Sequence, residues 1–268
     1  MPARLPERIV CLTEETTETL YLLGEERRIV GISGYTVRPP RARREKPRVS
    51  AFLSAKTDKI LALKPDLVIG FSDLQADIAR DLARAGLNVL IFNQRTVDEI
   101  LSMILALASL VGAAAKGERL VAELEAGLAA IRAAAARFER RPRVYFEEWD
   151  EPMISGIGWV SELVGVAGGE DVFPERARSH AAAGRTIADP QEVVRARPDV
   201  ILGSWCGKKF RPEHVVGRPG WSAVPAVRDG ELHEIKSAEI LQPGPAALTD
   251  GVRRMHDIFA AWNARPAR

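Results

Sequence analysis

The stretch Thr96–Arg140, TVDEILSMILALASLVGAAAKGERLVAELEAGLAAIRAAAARFER, decides the fold. It contains no proline, and alanine, leucine and charged residues dominate it. Thr96-Val97-Asp98-Glu99 reads as a capping box, a threonine N-cap with glutamate three residues on. Pro142 closes the run, because proline has no amide hydrogen to donate. Gly112 marks a joint inside it. The signals predict one helix over 97–111 and a second over 113–138, the latter about 39 Å long at the α-helical rise. What precedes and follows this stretch reads as two versions of one plan.

Before it, apolar runs of strand type alternate with helical segments. Arg8–Leu12 is followed by a helix that starts in Thr13–Glu18 and stops at Gly24. Arg28–Ile32 is a second strand, and the arginine-rich, proline-containing segment Arg38–Arg48 reads as a solvated basic loop. A helix from Thr57 to Lys64 leads into the strand Leu67–Gly70. A helix over Leu74–Ala85, ended by Gly86, leads into the strand Asn88–Phe92. After the long stretch the plan restarts with a strand over Arg143–Glu147 and a helix over Trp159–Ala167. Asp189-Pro190 opens another helix, Val200–Gly203 and Leu232–Ile235 are strands, and Pro245–Trp262 is a terminal helix. Asp58–Gly70 overlays Gln191–Gly203 without gaps. Both read helix, basic residue, Pro-Asp, apolar strand, glycine. Pro-Asp before a strand is ordinary turn chemistry, but the shared order points to duplication. The expected fold is α/β: two Rossmann-like, three-layer lobes with central parallel sheets, joined by one long α-helix. The lobes fall at 1–96 and 141–268, with the connecting helices at 97–140. Ligands favour the cleft that strand ends of two such lobes leave.

The 268 residues suffice for two lobes with real cores, and 46% hydrophobic composition excludes a disordered chain. Charged residues make up 28%, but the net charge is only +2, so nothing steers nucleic acid or an anionic membrane. The basic segment also lacks the interleaved aromatics of single-strand binders. No segment is apolar enough to span a bilayer, and Met1–Arg8 lacks an apolar signal core. The two cysteines, Cys11 and Cys206, make no disulfide framework, and Cys11 reads as a core thiol. The four histidines, His180, His214, His233 and His256, form no short metal-binding array. No nucleophile elbow, Walker loop or assembled nucleophile–base set is visible, so neither a catalytic residue nor a metal site is expected.

Several motifs together resemble one family. They are Arg8–Leu12 with Thr16–Gly24, Lys56–Gly70, Trp149–Gly169, Arg197–Gly203, Arg218-Pro219-Gly220-Trp221, Ala226–Glu231 and Gln242-Pro243-Gly244-Pro245. Over nearly its whole length the chain resembles the helical-backbone (class III) substrate-binding proteins of ABC importers, specifically their cobalamin-binding, BtuF-like branch. Iron-siderophore and haem binders share most of these motifs. Here Thr13-Glu14-Glu15 replaces a commoner proline-containing turn. The resemblance implies a non-enzymatic, monomeric protein that captures a corrinoid, cobalamin or cobinamide, for an ABC importer permease. The corrinoid is then a bound ligand, with no catalytic cofactor and no nucleic acid or stable membrane insertion involved. The alternatives are a ferric-siderophore or haem binder, or a cytoplasmic corrinoid- or metal-handling protein or enzyme on the same scaffold. The resemblance implies a periplasmic or extracytoplasmic location, whereas the absent signal core leaves the cytoplasm open.

A corrin needs aromatic faces and groups that match its amide arms. Candidates at strand ends are Glu14, Glu15, Phe71-Ser72-Asp73, Asn93-Gln94, Glu148-Trp149-Asp150 and Ser204-Trp205-Cys206. Phe52 falls where the resemblance puts a cleft aromatic, and Tyr35 and Trp159 are further candidates. Trp149 and Trp205 each follow a strand among polar or small residues and are expected in the cleft. Lys208-Lys209 suits a phosphate or a solvated loop equally. The resemblance further implies one permease-docking carboxylate per lobe, matched by Asp58 and Glu213, and little lobe rotation about a stiff helix.

Overall fold

The computed structural model describes residues 5–266. The chain divides into two compact units. One holds the residues up to Gln94, Asp98–Leu124 and the returning segment Gln242–Pro245, and the other holds Arg95–Val97, Glu125–Leu241 and Ala246 onward.

In the first unit β1 (Ile9–Cys11), β2 (Ile29–Ser33), β3 (Arg48–Ser50), β4 (Leu67–Phe71) and β5 (Val89–Phe92) form a sheet in the order β3-β2-β1-β4-β5. All of its pairings are parallel. Helices α1 (Glu14–Leu22), α2 (Ala42–Glu45), α3 (Thr57–Ala62) and α4 (Ala76–Arg84) serve the crossovers. β1 and β4 are buried along their whole length, as expected of strands covered on both faces. α5 (Val97–Leu110) and α6 (Ala114–Ala135) follow.

In the second unit β6 (Arg143–Asp150), β7 (Met153–Ser155), β8 (Glu170–Asp171), β9 (Val200–Gly203) and β10 (Leu232–Glu234) form a sheet in the order β10-β9-β6-β7, with β8 also against β6. β7 is antiparallel and the other pairings are parallel. Its helices are α7 (Gly158–Ala167), α8 (Pro174–Ala177), α9 (Ala182–Arg185), α10 (Gln191–Ala196), α11 (Pro212–Val216), α12 (Pro225–Arg228), α13 (Ser237–Ile240) and α14 (Val252–Asn263). The architecture is the α/β one that the alternating pattern implies: two mostly parallel sheets with helices on both sides.

The joint at Gly112 is real, with φ +73 between α5 and α6. α6 has 22 residues and spans about 33 Å, shorter than the cap signals imply. It ends at Ala135, and Phe138 beyond it stacks on His256 at 5.2 Å and packs against Gly168. The division between the units falls inside α6, between Leu124 and Glu125.

Two local readings are corrected and a third gains a detail. The basic segment is not a free loop: it forms α2 and the edge strand β3. Its arginines find acids that local composition does not reveal, Arg38 pairing with Glu18 at 2.9 Å and Arg41 with Glu26 at 2.5 Å. β6 continues through Trp149 and Asp150, because β7 folds back to pair with its end. The terminal helix starts at Pro245 as expected and carries a π-helical turn, Ala247–Gly251, where Gly251 lies tight against the Glu239 carbonyl.

The two overlaid segments share one corner in space. The basic residue of each, Lys64 and Arg197, takes the left-handed conformation, with φ 47° and 48°. The next residue, Pro65 or Pro198, is buried. The aspartate then clasps the start of the neighbouring strand: Asp66 Oδ1 accepts from Arg8 N at 3.0 Å, and Asp199 Oδ2 accepts from Arg143 N at 2.9 Å. Each strand's leading arginine donates back to the helix end, Arg8 Nε to the Lys64 carbonyl at 3.0 Å and Arg143 Nε to the Ala196 carbonyl at 3.2 Å. The strand-ending glycines also match in role. A Cβ on Gly70 would lie 2.5 Å from the Gln75 side chain, and one on Gly203 would lie 1.9 Å from the Phe210 ring. Four matched details in one corner fit duplication better than coincidence of turn chemistry.

Asp66→Ala and Asp199→Ala are expected to lower stability by about 1 kcal/mol each, since each removes charged acceptance of backbone N–H groups at a partly solvated site. Urea unfolding followed by circular dichroism measures this, and unchanged midpoints for both variants would remove the corner's stabilising role.

Candidate ligand-binding site

A parallel sheet gathers the loops that follow its strands at one edge, and each unit has one such edge. In the first unit the loops after β1, β2, β3 and β4 are tied together. Gly34 N donates to the Ser50 carbonyl at 2.7 Å. Gln75, buried, donates through Nε2 to the Phe52 carbonyl at 2.9 Å and accepts from Phe71 N at 3.0 Å. These bonds bring together large apolar side chains that face solvent: Tyr35 (55% exposed), Leu53 (68%) and Leu74 (59%), beside half-buried Phe52. Beneath lie buried hydroxyls, Thr13, Thr36 and Ser72 among them, with Thr36 Oγ1 and Ser50 Oγ unpartnered among the described residues.

Glu14 and Glu15 open α1 at the same edge, and both are buried. Thr13 caps the helix by backbone only, since its Oγ1 donates to Glu15 Oε1 at 2.5 Å instead. Glu15 Oε2 has no partner among the described residues. Its Cβ lies against Gly244, in the returning segment, where an added Cβ would come within 2.5 Å. Gln94 is buried and donates to the Pro243 carbonyl of that segment at 2.9 Å, while Asn93 is exposed. Burial pushes the Glu15 carboxyl up to about 7, against the Thr13 bond, which favours the charged form. Burial also pushes Glu14 up to about 7, aided by Glu15 and Glu18 and opposed by Val37 N and Arg38.

In the second unit the edge is charged. Glu147, wholly buried near the end of β6, accepts both Nη groups of Arg218, at 2.5 and 2.9 Å, and the Trp205 indole at 3.0 Å. Burial works to lower the Arg218 pKa, but the Glu147 carboxylate outweighs it and holds that pKa above its ordinary value. Arg185, also buried, pairs with Glu148 and donates to the Ser155 carbonyl at 2.7 Å. Trp149 is half-buried, with its indole N–H on the Glu151 carbonyl at 2.8 Å.

The structure thus sorts the expected site residues. Tyr35, Phe52, Asn93 and the exposed Cys206 reach solvent at strand-end loops, and Trp149 does so from the paired end of β6. Trp205, expected at a ligand face, is a core residue. It is 3% exposed, packs edge-on against Phe210 at 5.0 Å and spends its N–H on Glu147. Trp159 is likewise core, bonded to the Ile240 carbonyl at 2.8 Å, and Phe71 and Ser72 are buried. Flanking polarity suggested exposure for Trp205, but Phe210 and the buried Glu147 carboxylate hold it in the core. Leu53, Leu74 and Thr36 were missed because a lone apolar or hydroxyl residue in a loop carries no periodic signal. Cys11 is the expected core thiol, pushed up to about 12 by burial. Among the described residues no group of acidic, histidine and cysteine side chains is arranged to hold a metal ion, and no helix is long and apolar enough to cross a membrane.

Each unit is an α/β sheet of mostly parallel strands, and in such sheets ligands bind at the loops that follow the strands. The chain belongs to the periplasmic binding protein family, Peripla_BP_2, whose model matches residues 9–239. It is 26% identical over 250 residues to the vitamin B12-binding protein of Vibrio parahaemolyticus, covering 90% of this chain and 86% of that one. Among solved structures it resembles the periplasmic vitamin B12 binding protein BtuF of Vibrio cholerae, with TM-score 0.76, 25% identity and coverage of 97% and 99%. It resembles the periplasmic heme-binding protein RhuT of Roseiflexus sp. RS-1 to the same degree, with TM-score 0.76, 26% identity and coverage of 94% and 98%.

Glu15 has a folded pKa near 7 against an ordinary value of 4.5, so between these pH values the folded chain binds more protons than the unfolded one. Stability therefore falls as pH rises through that window, by roughly 2–3 kcal/mol for a group so shifted. Glu15→Gln is expected to flatten the fall and to be more stable than the parent at pH 8. Melting temperatures taken from pH 4.5 to 8 test this, and a parent profile that rises through the window would contradict it.

Proposed function

We propose that this protein captures a corrinoid outside the cytoplasm and delivers it to an ABC importer permease. The observation that carries the reading is the amphipathic edge of the first unit. Tyr35, Phe52, Leu53 and Leu74 offer apolar surface to a flat macrocycle. Glu14, Glu15 and the hydroxyls below them offer partners to amide arms, and carboxyls with pKa near 7 act as donors as well as acceptors. The relatives that bear the vitamin B12-binding name support it. Asn93 is a further proposed contact of this edge, and Trp149 and Cys206 are the proposed contacts that the second unit carries.

Haem is the second reading, favoured by the exposed Tyr35 phenol at the apolar rim, since tyrosinate is a known axial ligand of ferric haem. Titration of the purified protein with cyanocobalamin, dicyanocobinamide, hemin and a ferric siderophore, followed by tryptophan emission, separates the readings. Corrinoid binding with quenching is expected, and Tyr35→Ala and Phe52→Ala are each expected to weaken it by about 1–2 kcal/mol. Binding of hemin or siderophore without either corrinoid at micromolar concentration would overturn the corrinoid reading.

Asp58 and Glu213 are the proposed permease-docking carboxylates. Each is exposed in the first turn of a helix that follows a strand of its own unit, α3 and α11. An acid there is favoured by the helix dipole in any case, so the test must be functional. Reversal of both charges to lysine is expected to leave ligand affinity unchanged and to abolish uptake through a reconstituted importer. Normal uptake by that variant would exclude docking through this pair.

A further inference from the structure

A solvent-open depression of about 320 Å³ lies at the strand-end edge of the second unit, lined by Trp205, Gly207, Lys208 and Lys209 after β9 and by Glu234, Ile235, Lys236 and Ser237 at and after β10. Three ammonium groups face one carboxylate there. Lys208 is held in place: its Nζ pairs with Asp150 and sits over the Trp149 and Trp205 rings, 4.2 and 5.1 Å from their centroids. Lys236 pairs with Glu234 at 2.6 Å. Glu234 also accepts from Phe210 N at 3.2 Å. Burial alone would raise the Glu234 pKa, yet Lys236, the Phe210 amide and Lys209 together hold it below its ordinary value. Lys209 makes no ion pair of its own among the described residues. With Lys236 paired to Glu234 and Lys208 to Asp150, Lys209 leaves the lining one positive charge in surplus.

We propose that this depression is a subsite for an oxyanion, a phosphodiester or a carboxylate, carried at the periphery of the bound ligand. Lys209 and Lys236 contact the anion, and Lys208, fixed by Asp150 and the two indoles, sets the positive wall behind it. The inference rests on the reading of the protein as a binder of a large metal macrocycle and adds the charge class of that ligand. A corrinoid with its nucleotide tail carries a phosphodiester, dicyanocobinamide lacks it, and haem carries two carboxylates. The site thus favours the complete corrinoid over its precursor, or haem over an uncharged chelate, and it explains why a chain of small net charge concentrates lysine at this edge.

Two measurements with the full chain and its Lys209→Gln/Lys236→Gln double variant test it. Both lysines are exposed, so the variant is expected to keep the parent's circular dichroism spectrum. First, methyl phosphate and acetate are titrated while backbone amide resonances are followed by NMR. Saturable shifts confined to residues 207–209 and 234–237, lost in the double variant, are expected. Their absence with both anions overturns the subsite whether or not any macrocycle binds. Second, calorimetry with cyanocobalamin, dicyanocobinamide and hemin is run at low and high salt. A phosphodiester subsite predicts that the double variant loses about tenfold in cyanocobalamin affinity at low salt and nothing for dicyanocobinamide. A carboxylate subsite puts that loss on hemin. Equal affinities of the two proteins for every macrocycle that binds would overturn the proposal. Failure of all three macrocycles to bind the parent would count against the function reading alone, with the anion titration still deciding the subsite.

Discussion

A helix that must deliver the chain into the middle of a parallel sheet needs a turn that reverses direction and aligns the new strand with one laid down earlier. Both units meet that constraint with the same corner. A basic residue adopts φ near +48°, a conformation disfavoured for any residue with a Cβ, and the buried proline that follows fixes the exit direction. The aspartate then holds the amide at the start of β1 or β6. This places β4 beside β1 and β9 beside β6, the central pair of each sheet. Every loop at the opposite edge inherits its position from that register, because a one-residue slip would turn each strand's side chains to the other face.

From this shared frame the two units build different chemistry. The first has hydroxyls and two carboxyls below an apolar rim, and its loops are joined through Gln75 and the Gly34–Ser50 bond. The second is organised by ions. Glu147 and Arg218 form a bidentate pair that is almost wholly buried, and the motif Arg218-Pro219-Gly220-Trp221 supplies both the guanidinium and the indole on which it lies, at 4.5 Å. Such a pair contributes little net stability against an apolar replacement, but breaking one side leaves a buried charge and costs about 3–5 kcal/mol. Its effect is to specify: it orients Trp205, and Trp205 with Trp149 in turn positions Lys208.

The buried carboxyls of α1 are the counterpart in the first unit. They are destabilising when charged, because burial disfavours the ionised form. Both sit at the strand-end edge, where burial holds their pKa near 7.

The order of elements, the parallel sheets and the joint at Gly112 were legible in the sequence alone, because they rest on local physics: apolar runs, caps, and residues that cannot continue a helix. The repeat was legible too, since Pro-Asp between a helix and an apolar strand is a local pattern. β7, β3 and the true end of β6 were not, because short edge strands are made by their partners rather than by their own composition. The site was legible only by position. Tyr35, Phe52 and Trp149 were placed at strand ends and reach solvent there, but Trp205 carried the same local signature and is buried. Which of two similar tryptophans is buried depends on whether a carboxylate from another strand takes its N–H. That partner, Glu147, is 58 residues away, a distance across which only tertiary structure acts.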